Sequence, residues 1–314
     1  WVLIDLYLGQ SHPPSQRLAF FDELRLKTSF VEMGNPLMLW LITLVKRNIA
    51  TSETFPQSTG QLYRSVVRDC LLGEWETRRA APRHVVDLGY LILQELAFLS
   101  LSSVVRTLGT GDVQDVARRV AQKVGTSQQE TGKAVDPLFE IGILRRRLGQ
   151  IAFWHTSIRS YCAAEFVVEH STERDLISLM SGHRWRECLV MLAGLGGIDR
   201  DTLSHLADND SLLGLHCALE SGLGKDPEAA LAVFSRLVSE GAKLAEDPST
   251  LAATALGLTR AVRQEPELTD ALLYLACCDM QVLQSARSRR TAATTFEESL
   301  EKAFRDTGVN AALD

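Results

Sequence analysis

The chain has 314 residues and a net charge of −6, and 46% of its residues are hydrophobic while only 7% are aromatic. That length and apolar content can bury a sizeable core, divided over two or three folding units. Leucine and alanine dominate, which favours packed helices over a β-sandwich. The acidic balance excludes a global basic field, so no specific nucleic acid is expected as a partner.

The cysteines and the apolar runs both indicate a cytoplasmic protein. Six cysteines lie mostly inside apolar helical patterns, and no CxxC or Cys/His spacing indicates zinc. We therefore expect reduced core cysteines. No apolar run of membrane-spanning length and no signal peptide is recognised, so no membrane contact is expected. The first residue is Trp1 rather than Met, which indicates a piece of a longer chain.

The chain opens with a short apolar run, residues 1–6, that suggests a buried parallel strand. A Walker B strand has this shape, with Asp5 near Mg²⁺, but the second acidic residue expected soon after it is absent. An ordinary core strand is the alternative. A helix is predicted next, over residues 15–30.

Two helices are predicted in the following segment. Pro36 suits the first turn of a helix, because its fixed φ and missing N–H are tolerated there. Residues 37–48 are apolar almost all round, which predicts a buried helix. A second helix is predicted from Gly60 to about Trp75, with its apolar residues on one side.

Three further helices and a hairpin are predicted before residue 154. Apolar periodicity places the helices at residues 86–101, 113–124 and 134–144. Residues 145–153, which begin with three arginines, have the composition of a short β-hairpin. Arginines beside a helix-turn-helix could read DNA, and a solvated hairpin is the alternative.

The stretch of residues 149–168 carries the main functional expectation. It passes through Trp154 and His155 and enters a helix at Thr156 or Ser157, whose side chains suit an N-cap. His155 therefore precedes a helix N-terminus, where backbone N–H groups and the helix dipole favour an anion. The residues alone leave open a phosphate contact and a purely structural histidine. The helix is expected to bury one face formed by Ile158, Tyr161, Cys162, Ala164, Glu165 and Val168.

Two sequence patterns resemble one family. Residues 153–166 read Phe-x-His-x-x-Ile-x-x-Tyr-x-Ala-Ala-Glu-Phe, which resembles the end of the winged-helix domain in NACHT-type STAND NTPases. These ATP/ADP-switched signalling proteins include NOD-like receptors and bacterial antiviral relatives. The order NPLMLWLITLV, then LYRSVVRDCLLGEW, resembles the small helical domain that follows their ATPase core. The chain departs from the family at Ser160, where a Glu is usual.

The resemblance covers roughly residues 30–170 and implies four regions. Residues 1–29 would be the end of an ATPase core, 30–82 a small helical domain, 83–170 a winged-helix domain and 171–314 a helical sensor or linker region. His155 would contact the β-phosphate of ADP, and Pro36 would pack against adenine or ribose. ATP or ADP with Mg²⁺ would be bound mainly by residues upstream of Trp1.

The resemblance also implies partners and a role. The active state would self-oligomerise, and an unidentified ligand, expected to be a protein, would be sensed in innate immune or antiviral defence. After His170 the predicted helices become shorter, which resembles an α-solenoid without a strict period. They are placed at residues 174–180, 185–194, 201–207, 212–221, 227–245, 248–262, 267–284 and 291–304. The fold class expected for the whole is mainly α.

No GxxxxGK[ST] pattern occurs, so these residues contain no cradle for the β- and γ-phosphates. No catalytic or metal-binding residues are proposed, and any ATP hydrolysis would depend on residues before Trp1. Two alternatives remain. One is a helical scaffold that binds a partner without nucleotide, and the other is a winged-helix transcription regulator in which Arg145, Arg146 and Arg147 contact DNA.

Overall fold

Helices account for most of the part of the chain that the structure describes, as the composition predicted. The structure is a computed structural model. It describes residues 13, 15–16, 20, 36–48, 55–79, 81–102, 108–147, 149–170 and 182–221. The described residues up to Gly197 belong to one compact unit, and those from Ile198 to Ser221 belong to a second.

The first unit begins, as far as it is described in detail, with helix α1 (Pro36–Asn48). It starts at Pro36, as predicted, because proline lacks the N–H that a first turn leaves unpaired anyway. Almost all of its sequence is apolar, and Leu41, Ile42 and Val45 are completely or almost completely buried. Of the helix predicted over residues 15–30, only residues 15, 16 and 20 are described, and all are helical.

The second predicted helix is confirmed, but its middle is wider than an α-helix. It consists of α2 (Thr59–Arg64), a π-helical segment (Ser65–Leu72) and α3 (Gly73–Arg79). Ser58 caps α2 by accepting a hydrogen bond from the backbone N–H of Gln61 at 3.2 Å. In the π-helical segment the Gly73 N–H donates to the carbonyl of Arg68, five residues back.

Three helices follow, α4 (Arg83–Ser102), α5 (Thr110–Val124) and α6 (Gln128–Glu140). The first two lie close to their predicted positions. The prediction of residues 134–144 for the third was wrong at both ends. Its start is set by Ser127, which accepts a hydrogen bond from the Glu130 N–H, and it ends before Gly142, whose φ of 79° turns the chain away.

The predicted hairpin is confirmed as an antiparallel pair, β1 (Leu144–Arg147) and β2 (Gln150–Phe153). Gly149 turns the chain between them with a φ of 76°. Leu144 and Ile151 point into the core, whereas the three arginines of β1 are exposed. Leu108 pairs with Ile151 on the other edge of β2, through an Ile151 N–H donated to its carbonyl at 2.8 Å.

The unit is completed by α7 (Thr156–His170), a 3-10 turn (His183–Trp185) and α8 (Arg186–Gly194). Helix α7 packs against α4 and against α8, so it is buried on more than the one predicted face. Val168 is an exception to that predicted face, because it is 41% exposed in the last turn. Cys70, Cys162, Cys188 and Cys217 are buried and are not in disulfides, as expected for core cysteines.

Helix α4 is the central helix of this unit, in contact with α5, α6 and α7. By length and composition alone it could also cross a membrane, contrary to the expectation that no run is long enough. Most of its apolar window is buried inside the unit, and the core helix of a water-soluble protein has the same properties.

The first unit spans both boundaries that the family resemblance implied, at residues 82/83 and 170/171. The second unit contains α9 (Arg200–Asn209) and α10 (Ser211–Ser221), near their predicted positions. The two helices approach closely at Gly214, where a Cβ would lie 2.7 Å from the Cα of Ala207. The predicted strand at residues 1–6 and the helices predicted at 174–180 and beyond 221 lie outside the described residues.

Gln94, on α4, is a polar residue inside the apolar core, and replacing it tests what an unpaired amide costs there. It is 0% exposed, and neither atom of its amide has a hydrogen-bond partner among the described residues. A buried amide without partners costs about 1–3 kcal/mol. We expect Gln94→Met, which keeps the length of the side chain, to raise the free energy of unfolding by about 1 kcal/mol.

The measurement is urea unfolding followed by tryptophan fluorescence, since all five tryptophans precede Ile198 and therefore report the first unit. Gln114→Met, at an exposed position of α5, is the matched control and should change stability by less than about 0.5 kcal/mol. A clear loss of stability in Gln94→Met would contradict the expectation.

Candidate functional site

His155 lies between β2 and α7 and acts as the N-cap of that helix. Its ring Nδ1 accepts a hydrogen bond from the backbone N–H of Ser157 at 3.1 Å. Its carbonyl accepts the N–H of Arg159 at 3.3 Å. The expectation that Thr156 or Ser157 caps the helix was therefore wrong, because α7 already begins at Thr156. The residue before the first turn, here a histidine, takes the capping position.

The capping hydrogen bond determines which ring nitrogen carries a proton. Nδ1 can accept from Ser157 only when it is unprotonated, so the neutral ring of His155 has its proton on Nε2. The ring is half-buried. His155 thus offers an Nε2–H donor beside the amino end of a helix of 15 residues, an arrangement that suits an anionic oxygen.

The neighbouring residue Trp154 connects this segment to α1. Its ring meets the ring of Trp40 edge to face, with centroids 5.7 Å apart and planes at 84°. Trp40 is one turn along the helix from Pro36, about 6 Å along the axis. The structure therefore packs α1, which begins at the predicted site residue Pro36, against Trp154, the residue that directly precedes His155. The sequence contained no signal for this ring pair.

Arg145 adds a positive charge to this side of the unit. Its guanidinium lies 5.7 Å from the centroid of the Trp154 ring, within the range of a cation–π contact. The guanidinium of Arg146 lies over Phe139 at 4.7 Å. These two arginines were considered as DNA contacts, and each lies over an aromatic ring of its own unit.

Glu187, at the start of α8, holds the first turn of α7. Its carboxylate accepts hydrogen bonds from the hydroxyl of Ser160 at 2.7 Å and from the hydroxyl of Ser157. Both serines are buried. Sequence reasoning missed Glu187, because 27 and 30 residues separate it from them and no local pattern connects them.

The charge of this carboxylate also acts on the guanidinium of Arg159. Burial lowers the pKa of Arg159, the charge of Glu187 opposes that shift, and Arg184 adds to it, so that the pKa lies below its ordinary value. The Nε of Arg159 is buried and has no hydrogen-bond partner within the described part of the chain. Glu187 is thus a negative charge close to Arg159, which also feels the positive charge of Arg184.

A buried polar network lies further along α7. The Glu165 carboxylate accepts a hydrogen bond from Arg64 of α2 at 2.7 Å and from the hydroxyl of Tyr161 at 3.0 Å. The hydroxyls of Tyr161 and Tyr90 are 2.6 Å apart. Because the proton of Tyr161 points at Glu165, Tyr90 is the donor of that pair. The network joins α2, α4 and α7.

The pKa shifts in this network follow from burial and from the ion pair. Burial raises the pKa of Tyr90 and of Tyr161, so both hydroxyls keep their protons at neutral pH. Burial alone would lower the pKa of Arg64, but the hydrogen bond and charge of Glu165 outweigh it and raise that pKa. The network therefore joins the Arg64–Glu165 pair to two phenols that keep their protons.

Within the described residues, no cluster of three or more His, Cys, Asp or Glu side chains could hold a metal ion. No protein-family model matches the chain, and no curated protein matches it.

Proposed function

We propose that this chain is the regulatory half of a NACHT-type STAND NTPase, a signalling protein switched by ATP and ADP. Residues 30–82 would serve as the small helical domain, 83–170 as the winged-helix domain and 171–314 as a helical sensor or linker region of solenoid type. In the closed state, bound ADP is held between Pro36, His155 and a P-loop that these 314 residues do not contain.

The observation that carries the proposal is the state of His155. Capping occupies Nδ1 and leaves an Nε2–H donor beside a helix N-terminus, which suits a phosphate oxygen. The contact of Trp154 with Trp40, one turn from Pro36, supports a common site for the two residues. A proline ring can pack against adenine or ribose without a hydrogen bond, as this role requires.

The order of elements supports a winged-helix domain. Three helices, α4, α5 and α6, precede a hairpin whose strands are joined by the sharp turn at Gly149. Leu108, between α4 and α5, forms an isolated antiparallel bridge with Ile151 on the other edge of β2, where a third strand would lie. Helix α7 then leaves the hairpin with His155 as its cap, and so the wing leads directly to the proposed phosphate contact.

DNA reading receives less support from the same elements. Arg145 and Arg146 lie over Trp154 and Phe139. Helix α6, which precedes the hairpin, exposes Asp136 and Glu140, whose charges would repel a phosphate backbone. We therefore propose a domain that packs and rotates rather than one that binds DNA.

The mechanism is a shift between two populations. ADP contacts His155 and Pro36 only in the closed state and therefore stabilises it, since a ligand shifts an equilibrium by its differential affinity. Binding of a sensed ligand, expected to be a protein, favours the open state. ADP then exchanges for ATP with Mg²⁺, and open protomers assemble, in innate immune or antiviral defence in the cytoplasm.

The test is nucleotide retention by the protein produced from its complete coding sequence. We expect the purified protein to carry ADP, and His155→Ala to bind it about tenfold more weakly, because a hydrogen bond to a charged phosphate is lost. His155→Ala should also assemble spontaneously without the sensed ligand. Bound nucleotide is measured by ion-exchange chromatography after denaturation, and assembly by light scattering.

Two further variants distinguish the phosphate contact from the cap. Asparagine caps helices well but is shorter than histidine. His155→Asn should therefore keep the N-cap of α7, which His155→Ala removes, and should still lose ADP. His205→Ala, at an exposed position of α9, is the control and should retain ADP. Unchanged ADP binding and resting assembly in both His155 variants would contradict the proposal.

A further inference from the structure

Glu187 is connected to His155 through a single intervening residue, Ser157. The carboxylate of Glu187 accepts the Ser157 hydroxyl, and the backbone N–H of the same serine donates to the His155 ring. We infer that Glu187 is a positioning residue for His155, through which helix α8 controls whether the histidine is set to bind phosphate. This inference rests on the proposed function and adds the means by which the site is regulated.

Two serine hydroxyls attach Glu187 to the start of α7 by hydrogen bonds at two positions. Ser160 holds Oε2 and Ser157 holds Oε1, so the carboxylate cannot turn without breaking a hydrogen bond. Ser157 and Ser160 are 8% and 1% exposed, so water does not readily replace Glu187 at either hydroxyl. A shift of α8 would therefore move Ser157, the donor that holds the His155 ring.

The other end of α8 contacts α2, which makes α8 a connection between the two regions of the proposed switch. The Ser58 hydroxyl donates to the carbonyl of Gly194 at 2.7 Å. Helix α8 thus contacts the N-cap of α2 with its last residue and the first turn of α7 with Glu187. Any motion that separates α2 from α7 has to break one of these attachments.

The charge of Glu187 has a separate effect from its hydrogen bonds. Its negative charge acts on Arg159, so removing Glu187 would make the region more positive and would by itself favour an anion. A loss of ADP affinity in a Glu187 variant would therefore come from lost positioning and not from lost charge. Glu187→Gln keeps oxygen and nitrogen partners for the two serines, whereas Glu187→Ala keeps neither.

The first experiment measures the His155 ring in this chain by two-bond ¹H–¹⁵N NMR, with His155→Asn used to assign its signals. In the wild type we expect a single tautomer with the proton on Nε2. Glu187→Ala should lose that single-tautomer pattern, and Glu187→Gln should retain it. Ser157→Ala should resemble Glu187→Ala, since it removes the connecting hydroxyl with little change in packing. Glu169→Ala, at an exposed position of α7, is the control.

The second experiment measures ADP release from the protein produced from its complete coding sequence. We expect release about three- to tenfold faster in Glu187→Ala and Ser157→Ala, since one hydrogen bond positions the ring. Glu187→Gln should remain close to the wild type. An unchanged His155 tautomer in both Glu187→Ala and Ser157→Ala would overturn the inference, even if His155→Ala loses ADP. Full ADP retention in both His155 variants would instead overturn the proposed function, whatever Glu187 does.

Discussion

Replacing Glu165 with alanine should destabilise the first unit by about 3 kcal/mol, because truncating one partner of a buried ion pair leaves the other groups unpaired. The Glu165 side chain is only 5% exposed, and it accepts from Arg64 at 2.7 Å and from Tyr161 at 3.0 Å. Its loss leaves the Tyr161 hydroxyl without its acceptor and Arg64 without its counter-charge. Since the Arg64 side chain is 41% exposed, water compensates it in part, and we expect the lower end of the range known for buried pairs.

Two variants separate charge from packing in this network. Glu165→Gln keeps an acceptor for Tyr161 and should cost less than Glu165→Ala. The double variant Arg64→Met with Glu165→Leu replaces the pair by apolar side chains and should be more stable than Glu165→Ala alone. Urea unfolding followed by tryptophan fluorescence gives all three values. A cost below about 1 kcal/mol for Glu165→Ala would mean that the ion pair does not hold α2 against α7.

Gly60→Ala should destabilise the same unit by about 3 kcal/mol, because α2 and α8 touch through their backbones at this position. A Cβ on Gly60 would lie 2.4 Å from the carbonyl oxygen of Met191 and 3.0 Å from Cγ of Leu195. A backbone oxygen cannot rotate away as a flexible side chain could, so the two helices would have to separate. Separation would also stretch the 2.7 Å hydrogen bond from Ser58 to Gly194.

Gly132→Ala is the matched control for this prediction. Gly132 also lies inside a helix, α6, but a Cβ there would meet nothing within 4 Å. Alanine should stabilise the unit at that position by about 0.5–1 kcal/mol, because it is the better helix former. Urea unfolding measures the change in the free energy of unfolding for each variant. A decrease for Gly60→Ala together with an increase for Gly132→Ala would support the backbone contact. A stabilising Gly60→Ala would contradict it.

Most helices and the hairpin could be predicted because their signals are local. Apolar periodicity and the proline at position 36 placed α1, α4 and α5 within a few residues. The largest error, in α6, arose because the cap at Ser127 and the positive φ of Gly142 were given less weight than the apolar residues. Both signals lie in the local sequence, so the bounds of α6 could have been predicted from it.

The candidate site was predictable only in part, because many of its contacts join residues that are far apart in the sequence. The sequence by itself determined that His155 precedes a helix and that Pro36 begins one. Only the tertiary structure decided that Trp40 meets Trp154, and that Arg64 reaches Glu165 across 101 residues. It also decided the cap of α7. Ser157 is a good capping residue locally, but packing of α8 gives its hydroxyl to Glu187, while its N–H bonds to the His155 ring. Local propensity selects the elements, whereas the partners of buried polar groups depend on which helices the core brings together.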